Sequence, residues 1–408
     1  MNKPKKKSPP SKRASRSQGP SSSQDETASP MLASLALDLT ELDLYADVPD
    51  DLKKKAADLG RRIRKCLQQG RNGILGEALQ LAREEDDAAW VALKRHIEDA
   101  AQEAIFRTED GADVEVNAFV IPFFARTVGG LRADECFQDE AAFTHLRDSI
   151  QDAQLESAKA RVVLVSHAYH LEELERLGYA QVYQMVREAH ESMTRKKAVA
   201  APVMTESMSG WPESGFAAED QAVELRYLLG FTLKRLDDPF YAVPEKEAEA
   251  DRYFAKRAER FRRWTRDAAP LLERCLVAGD RKVELDFLYQ DLFYGGKAAG
   301  AAEHDVLQML AFLQQAIDAS GNAADSVDAI AGPADIGDDL VFRINLYAAA
   351  SRELLASFDK PIRTTQTQED EAEDVLDALS SLGLASLSLA ARFEDDGEPV
   401  DPRPVSPG

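Results

Sequence analysis

Three cysteines in 408 residues, Cys66, Cys136 and Cys275, lie too far apart for a CxxC zinc or redox motif. So small and odd a number argues against a disulfide framework. It points to a reducing, cytoplasmic setting in which each cysteine serves as a small buried hydrophobe. Long hydrophobic runs are also missing. The longest, Ala118–Ala125 (AFVIPFFA), falls well short of the roughly 18 residues that suggest a membrane span, and reads as a buried strand. The N-terminus is basic, but Ser and Pro follow where a secretory signal has its apolar stretch, so neither secretion nor a membrane partner is expected. Catalytic signatures are absent too. There is no GxGxxG, no GxxxxGK[ST], no HExxH and no GxSxG. Gly295-Gly296-Lys297 lacks the spacing and the following Ser or Thr of a phosphate loop, and reads as a turn before a helix. No cofactor is implied and no reaction is specified.

What is present is acid. Asp and Glu total 72 against 50 Lys and Arg, a net charge of −22. The imbalance is uneven. Residues 1–24 hold Lys3, Lys5, Lys6, Lys7, Lys12, Arg13 and Arg16 and no acid, which is +7 and leaves −29 on the rest. A body that acidic repels phosphate backbones unless its basic residues gather locally. Nucleic acid is therefore expected only through the Lys3–Arg16 tail, which otherwise reads as a solubilising or targeting segment. Apolar residues at 44% and charged residues at 30% are close to the usual globular mix, and the length suits two or three domains.

The spacing predicts an α+β chain: a small N-terminal helical region, then a mixed α/β body with one or two sheets covered by helices. Residues 1–30 are rich in Ser, Pro and Lys and read as a disordered basic tail. Residues 31–108 read as helical, with Leu52, Ala56, Leu59, Ile63 and Leu67 at helical spacing, a break at Asn72-Gly73, and Trp90, Leu93, Ile97, Ala101 and Ile105 on a later helix. From 109 to 206 the period changes. Val114, Val116, Ala118 and Val120 alternate, and Pro122 is expected to close that strand. A helix over Asp139–Leu155 and a strand at Arg161–Ser166 follow, an order that favours a parallel or mixed sheet.

A second α/β region spans 216–393. Its clearest strand alternates Val223, Leu225, Tyr227, Leu229, Phe231 and Leu233 with polar Glu224, Arg226, Thr232 and Lys234. A helix over Lys246–Asp267 follows, and Pro270 is expected to start or kink the next one. Further strands are expected at Val283–Phe287 and Leu340–Leu346, the latter with a hairpin partner near 353–359. A helix is expected over 302–319, and another after Thr367, stopped by Gly383. A strand through Leu387 and Leu389 precedes a proline-rich disordered tail at 394–408.

The stretch VELRYLLGF at Val223–Phe231, followed by the long Trp264-bearing helix, resembles an uncharacterised bacterial family, domain of unknown function 2863. IAGPADIGDDLVFRINLY at Ile330–Tyr347 and VLDALSSLGLASLSLAARF at Val375–Phe393 extend the resemblance over most of residues 50–395. The resemblance implies a bacterial cytosolic protein and supplies no reaction. It also implies a Cys-bearing tail after the last strand. This chain has no cysteine beyond Cys275, so a tail metal site does not carry over.

Three features could carry chemistry. The most site-like is the helix over 246–267. At about 100° per residue, Arg252, Lys256, Arg260, Arg263 and Arg266 form one stripe, with Phe254, Ala258, Phe261 and Trp264 opposite. From Arg252 to Arg266 seven basic residues accompany one acid, Glu259. Such a stripe suits docking of an anion, since the planar guanidinium fork binds two oxygens at once; the competing reading is a helix face paired with the protein's own acids. His167 and His170 follow a strand. If the chain turns helical there they share a face, and Glu173 or Glu175 could complete a metal shell; the competing reading is a polar loop. His190 falls on an apolar face with Tyr183 and Val186 and reads as a satisfied core histidine. The expected function is a non-catalytic binding or regulatory protein that docks an acidic protein or phosphorylated ligand on the basic helix. An enzyme acting on a small anionic metabolite and a nucleic-acid-associated protein are the alternatives.

Overall fold

The computed structural model describes residues 27–40, 49–108, 111–128, 137, 139–155, 159–194, 221–238, 244, 246–276, 283–337, 339–362 and 368–405. The chain divides into two compact units, one of residues 1–66 and 71–96, the other of 67–70 and 97–408. Together they make an α+β protein. Among the described residues, no helix is long and apolar enough to cross a membrane.

The first unit is helical: α1 (Ala28–Leu37), most of α2 (Asp50–Gln68), α3 (Asn72–Glu85) and the start of α4 (Asp87–Gln102). Leu59 and Ile63 of α2 and Leu93 of α4 are fully buried at the expected spacing, and Leu75 and Ala78 of α3 are fully buried with them. Asp86 begins α4 by accepting the Ala89 N–H at 3.0 Å, which satisfies one of the unpaired donors of a helix start. Order begins earlier than the composition of 1–30 predicts. Ser29 donates to the Ile74 carbonyl and the Glu77 carboxylate, tying α1 to α3. At the other end the expected helix stops short. Ile105 lies in β1 (Glu103–Arg107), which pairs with the next strand.

In the second unit the longest strand is β2 (Asp113–Val128). Along one edge it pairs in succession with β1, with β6 (Asp291–Leu292) and with β5 (Val283–Phe287). Along the other it pairs over its whole length with β4 (Gln221–Arg235), which carries β3 (Arg161–Tyr169) on its outer side. Every pairing in this sheet is antiparallel, not parallel or mixed as the β-α-β order predicts. The physical reason lies in strand order. α5 (Glu140–Asp152) does carry the chain to a β3 parallel with β2, but β4 inserts between the two and pairs antiparallel with both. For the same reason the expected division at 206–216 does not separate two sheets.

Pro122 does not close β2. Its carbonyl accepts the Leu288 N–H, on the edge where β6 ends and β5 begins. In an antiparallel strand the N and the carbonyl of one residue face the same way. The missing N–H of Pro122 therefore points at the gap between two partners, where no ladder donor is needed.

The second sheet has the order β13 (Arg403–Val405), β10 (Ser386–Leu389), β7 (Val327–Ile336), β8 (Asp339–Ala348), β9 (Leu354–Pro361), with β10 and β7 parallel and the remaining pairs antiparallel. The expected β8–β9 hairpin is present. The expected disordered tail is not: β12 (Pro399–Val400) pairs with β11 (Arg392–Phe393), and Val405 pairs with Leu387. Pro399 and Pro404 lie on short edge strands, where a missing donor costs little.

Helices cover these sheets. α5 and α8 (Glu247–Leu276) bury Phe143, Leu146, Phe261, Trp264 and Leu272 with Phe119, Ile121, Phe123 and Ala125 of β2. Pro270 neither starts nor ends a helix. Ala268, Leu272 and Cys275 continue the buried stripe past it, and that burial outweighs the ~3 kcal/mol cost of an interior proline. α9 (Phe293–Ser320) begins earlier than expected, so Gly295-Gly296-Lys297 lies in its first turns and not in a turn before it. Its N-terminal half lies on the first sheet. Its C-terminal half supplies Met309, Leu313 and Ile317 to the core of the second sheet, facing Val375 and Leu379 of α10 (Gln368–Ser380). Thr367, the expected cap, lies outside the described residues. Gly383 ends that segment with φ +68.

Close approach of α9 depends on glycine. A Cβ on Gly300 would lie 2.7 Å from the Tyr227 hydroxyl and 2.9 Å from Pro122 Cβ. That hydroxyl donates to the Lys297 carbonyl at 3.1 Å. Gly300→Ala is therefore expected to destabilise the protein by about 1–3 kcal/mol, although alanine is the better helix former by ~1 kcal/mol. Urea unfolding measures the difference, and an alanine variant as stable as the parent contradicts the tight fit.

Candidate functional site

One face of the first sheet changes character along its length. Ile121, Phe123 and Ala125 of β2 belong to the apolar core, whereas Asn117 and Glu115 on the same face are polar. Register sets their partners. Asn117 lies between Glu103 on β1 and Thr232 on β4, and Glu115 lies opposite Lys234. These polar side chains are buried: Glu115 and Lys234 at 8%, Asn117 at 5% and Thr232 at 1% exposure. With Phe119, Arg257 of α8, and Gln290, Asp291 and Leu292 around β6, they line a cavity of about 290 Å³. Phe119 forms the wall between cavity and core. Its ring lies over Gly230, where a Cβ would come within 2.3 Å of it.

Part of this polar set is internally satisfied. Lys234 Nζ lies 3.3 Å from Glu115 Oε2, and Asn117 Nδ2 donates to Glu115 Oε1 at 2.8 Å. Arg257 lies 5.7 Å above the Tyr289 ring. Part is not. Asn117 Oδ1 and Thr232 Oγ1 are buried and have no hydrogen-bond partner among the described residues. The Glu103 carboxyl makes no hydrogen bond or ion pair among them either. Burial raises its pKa to about 7, reinforced by the negative charges of Glu115 and Asp99 and opposed by Lys234. A carboxyl with a raised pKa beside unpaired polar atoms in a cavity makes this a candidate ligand site.

None of these cavity residues was among the candidates from sequence. Thr232 and Lys234 stand at the polar positions of an alternating strand, and alternation implies that one face meets solvent. Here both faces of β4 are covered, and Arg226 on the polar face is 0% exposed. The available signal was the pairing of two such strands: Glu115 and Asn117 share a face with Phe119, Ile121 and Phe123, so a buried face carries a polar end.

The basic stripe lies on α8 outside this cavity. Arg252, Lys256, Arg263 and Arg266 are exposed and Arg260 is half-buried. Arg263 pairs with Glu259 at 3.2 Å on the same helix. Phe254, expected on the apolar side, is 50% exposed, because burial of that side begins at Phe261, about two turns later.

The two histidines do not share a helix face. His167 lies within β3, which runs on to Tyr169, and His170 is the N-cap of the short helix α6 (Leu171–Arg176). Glu173 accepts the His170 backbone N–H at 2.7 Å and lies 3.2 Å from His167 Nε2 with both oxygens. This carboxylate caps the helix and orients the ring at once. Among the described residues no group of three or more His, Cys, Asp or Glu could hold a metal ion. His190, on α7 (Tyr179–Thr194), stacks on Phe106 with centroids 3.9 Å apart. Its Nε2 is buried without a hydrogen-bond partner among the described residues, so it is not the satisfied histidine expected, and burial lowers its pKa. Cys66 and Cys275 are buried and form no disulfide, as expected of small hydrophobes; Cys136 lies outside the described residues.

Because the Glu103 carboxyl holds its proton up to about pH 7 in the folded chain and only to about 4.5 otherwise, the folded state binds the extra proton between those values. Its contribution to stability is therefore lost as pH rises through that window. Glu103→Gln removes the dependence. Urea unfolding at pH 5 and pH 8 is expected to show the variant gaining on the parent at pH 8; an equal difference at both contradicts the raised pKa.

A family model described as "Protein of unknown function (DUF2863)" matches residues 23–383. No curated protein and no solved structure matches the chain.

Proposed function

The chain belongs to the DUF2863 family, whose description names no activity, and we propose that it is a non-catalytic binding protein that docks an anionic partner on the basic face of α8. One observation carries this reading. Arg252, Lys256 and Arg266 are exposed on one face, and none of them has an acidic partner among the described residues. The competing reading, a helix face neutralised by the protein's own acids, needs such partners. Among the described residues, Arg263 alone in the exposed stripe has an ion pair, to Glu259 of the same helix, and exposed pairs of that kind contribute little.

The stripe from Arg252 to Arg266 extends about 21 Å at 1.5 Å per residue, long enough for several phosphates or carboxylates. The exposed ring of Phe254 stands away from it, which favours an acidic protein segment or a phosphorylated ligand over stacked bases. Cytoplasmic placement belongs to the same proposal and rests on the three scattered cysteines.

Heparin serves as a polyanion probe. The parent chain is expected to be retained on a heparin column despite its net charge of −22, and to elute as salt rises. The triple variant Arg252→Glu, Lys256→Glu, Arg266→Glu is expected to pass through. A second variant with every Lys and Arg of residues 1–24 changed to Gln is expected to remain bound. The reverse pattern, binding lost with the tail and kept without the stripe, transfers the function to the tail and overturns the docking surface.

A further inference from the structure

The cavity at the Glu115 end of the first sheet is a second, separate site, and we propose that it binds a small organic molecule through a primary ammonium group received by Glu103, Asn117 and Thr232. The first support is geometric. These three residues are direct cross-strand neighbours on β1, β2 and β4, so their side chains stand in one row on one face of the sheet. All three line the same cavity. Asn117 and Thr232 are more than nine-tenths buried, and each has an oxygen without a hydrogen-bond partner among the described residues. A buried polar atom left unpaired costs about 1–3 kcal/mol, a cost that a ligand donor removes.

The second support is the sign of the unused capacity. Of the two cations in the lining, Lys234 is engaged by Glu115 and Arg257 by the Tyr289 ring. What remains is acceptor: the amide oxygen of Asn117, the hydroxyl of Thr232 and the carboxylate of Glu103. An ammonium brings three N–H donors and no acceptor, one for each. The other ligand classes fit less well. The carboxylates of the lining belong to no group that could hold a metal ion, among the described residues. An apolar ligand would meet only Phe119 and Leu292. The volume of about 290 Å³ lies at the lower end of the ~300–1,000 Å³ of small-molecule sites, which suits a metabolite rather than a peptide.

Binding is coupled to a proton. The charged groups around Glu103 are Glu115 from β2, Lys234 from β4 and Asp99 from α4, with Arg257 of α8 and Asp291 of β6 in the cavity lining. The carboxyl titrates at about 7 in their company. An arriving ammonium favours the charged carboxylate, so at pH 7 part of the Glu103 population gives up its proton on binding.

Isothermal titration of the full chain with ethylamine, 1,4-diaminobutane, 4-aminobutanoate and, as the deaminated control, butanoate tests the proposal. At least one amine is expected to bind and butanoate to give no heat. Repeating the titration at pH 7 in buffers of different ionisation enthalpy is expected to show net proton release, up to about half a proton per site for a group titrating near that pH. Glu103→Gln and Thr232→Val are each expected to weaken binding at least tenfold, and Glu103→Gln to abolish the proton release. The release is measured on the parent chain, so the test stands if a variant fails to fold. Binding of butanoate as tightly as the amines, amine binding without proton release, or no binding by any amine at 10 mM overturns the proposal. The heparin experiment reads a different face and is unaffected by each of these results.

Discussion

The second unit depends on the backbone hydrogen-bonding of one strand. β2 runs for 16 residues, and neither edge is left open. β4 occupies one edge from end to end, while β1, β6 and β5 share the other. A buried strand tolerates few lapses in its ladder, because an orphaned N–H or carbonyl has no water to turn to. That constraint places Pro122 at the joint between β6 and β5. It also aligns Glu115 and Asn117 with Lys234, Thr232 and Glu103. The apolar core and the polar cavity are thus two ends of one register, divided by the ring of Phe119 lying over Gly230.

The cavity is a costly arrangement to keep. A buried ion pair such as Glu115–Lys234 seldom stabilises a fold by more than apolar residues of similar volume would. Phe or Leu at positions 115, 117, 232 and 234 would extend the core without the desolvation cost. Sites that contradict local stability in this way are where function is usually found. A similar polar exception occurs on the second sheet, where Lys360 of β9 pairs with Glu371 of α10, at 4% and 3% exposure. Among the described residues, neither Lys360 nor Glu371 has a buried polar atom left unpaired. The difference between the two is the unpaired oxygens at Asn117 and Thr232.

Charge distribution gives α8 two distinct faces. Lys256 and Arg257 are adjacent in sequence, and a rotation of about 100° sends the first to solvent and the second to the cavity wall. Against a body carrying −29 outside the first 24 residues, this helix is a local reversal of sign, held in place by Phe261, Trp264 and Leu272 on its buried side. Trp264 Nε1 donates to Ser149 Oγ of α5 at 2.9 Å, so the helix is anchored by a specific hydrogen bond as well as by area.

Periodicity alone determined most of the elements. The helices through Leu59, Leu93, Phe143 and Val375, the strand through Val116 and Val120, and the β8–β9 hairpin were legible because a buried face repeats at 3.6 or 2 residues wherever it occurs. The basic stripe was legible for the same reason. Pairing was not. That β4 inserts between β2 and β3, that β12 and β13 return to sheet edges, and that α9 crosses from one sheet to the other depend on contacts between residues tens to hundreds of positions apart, which leave no period in the chain. The cavity belongs wholly to that second kind. Glu103, Asn117 and Thr232 are unremarkable polar residues in three separate strands. Only the register between those strands, together with the covering that buries both faces of β4, brings their acceptors into one cavity and raises the pKa of Glu103.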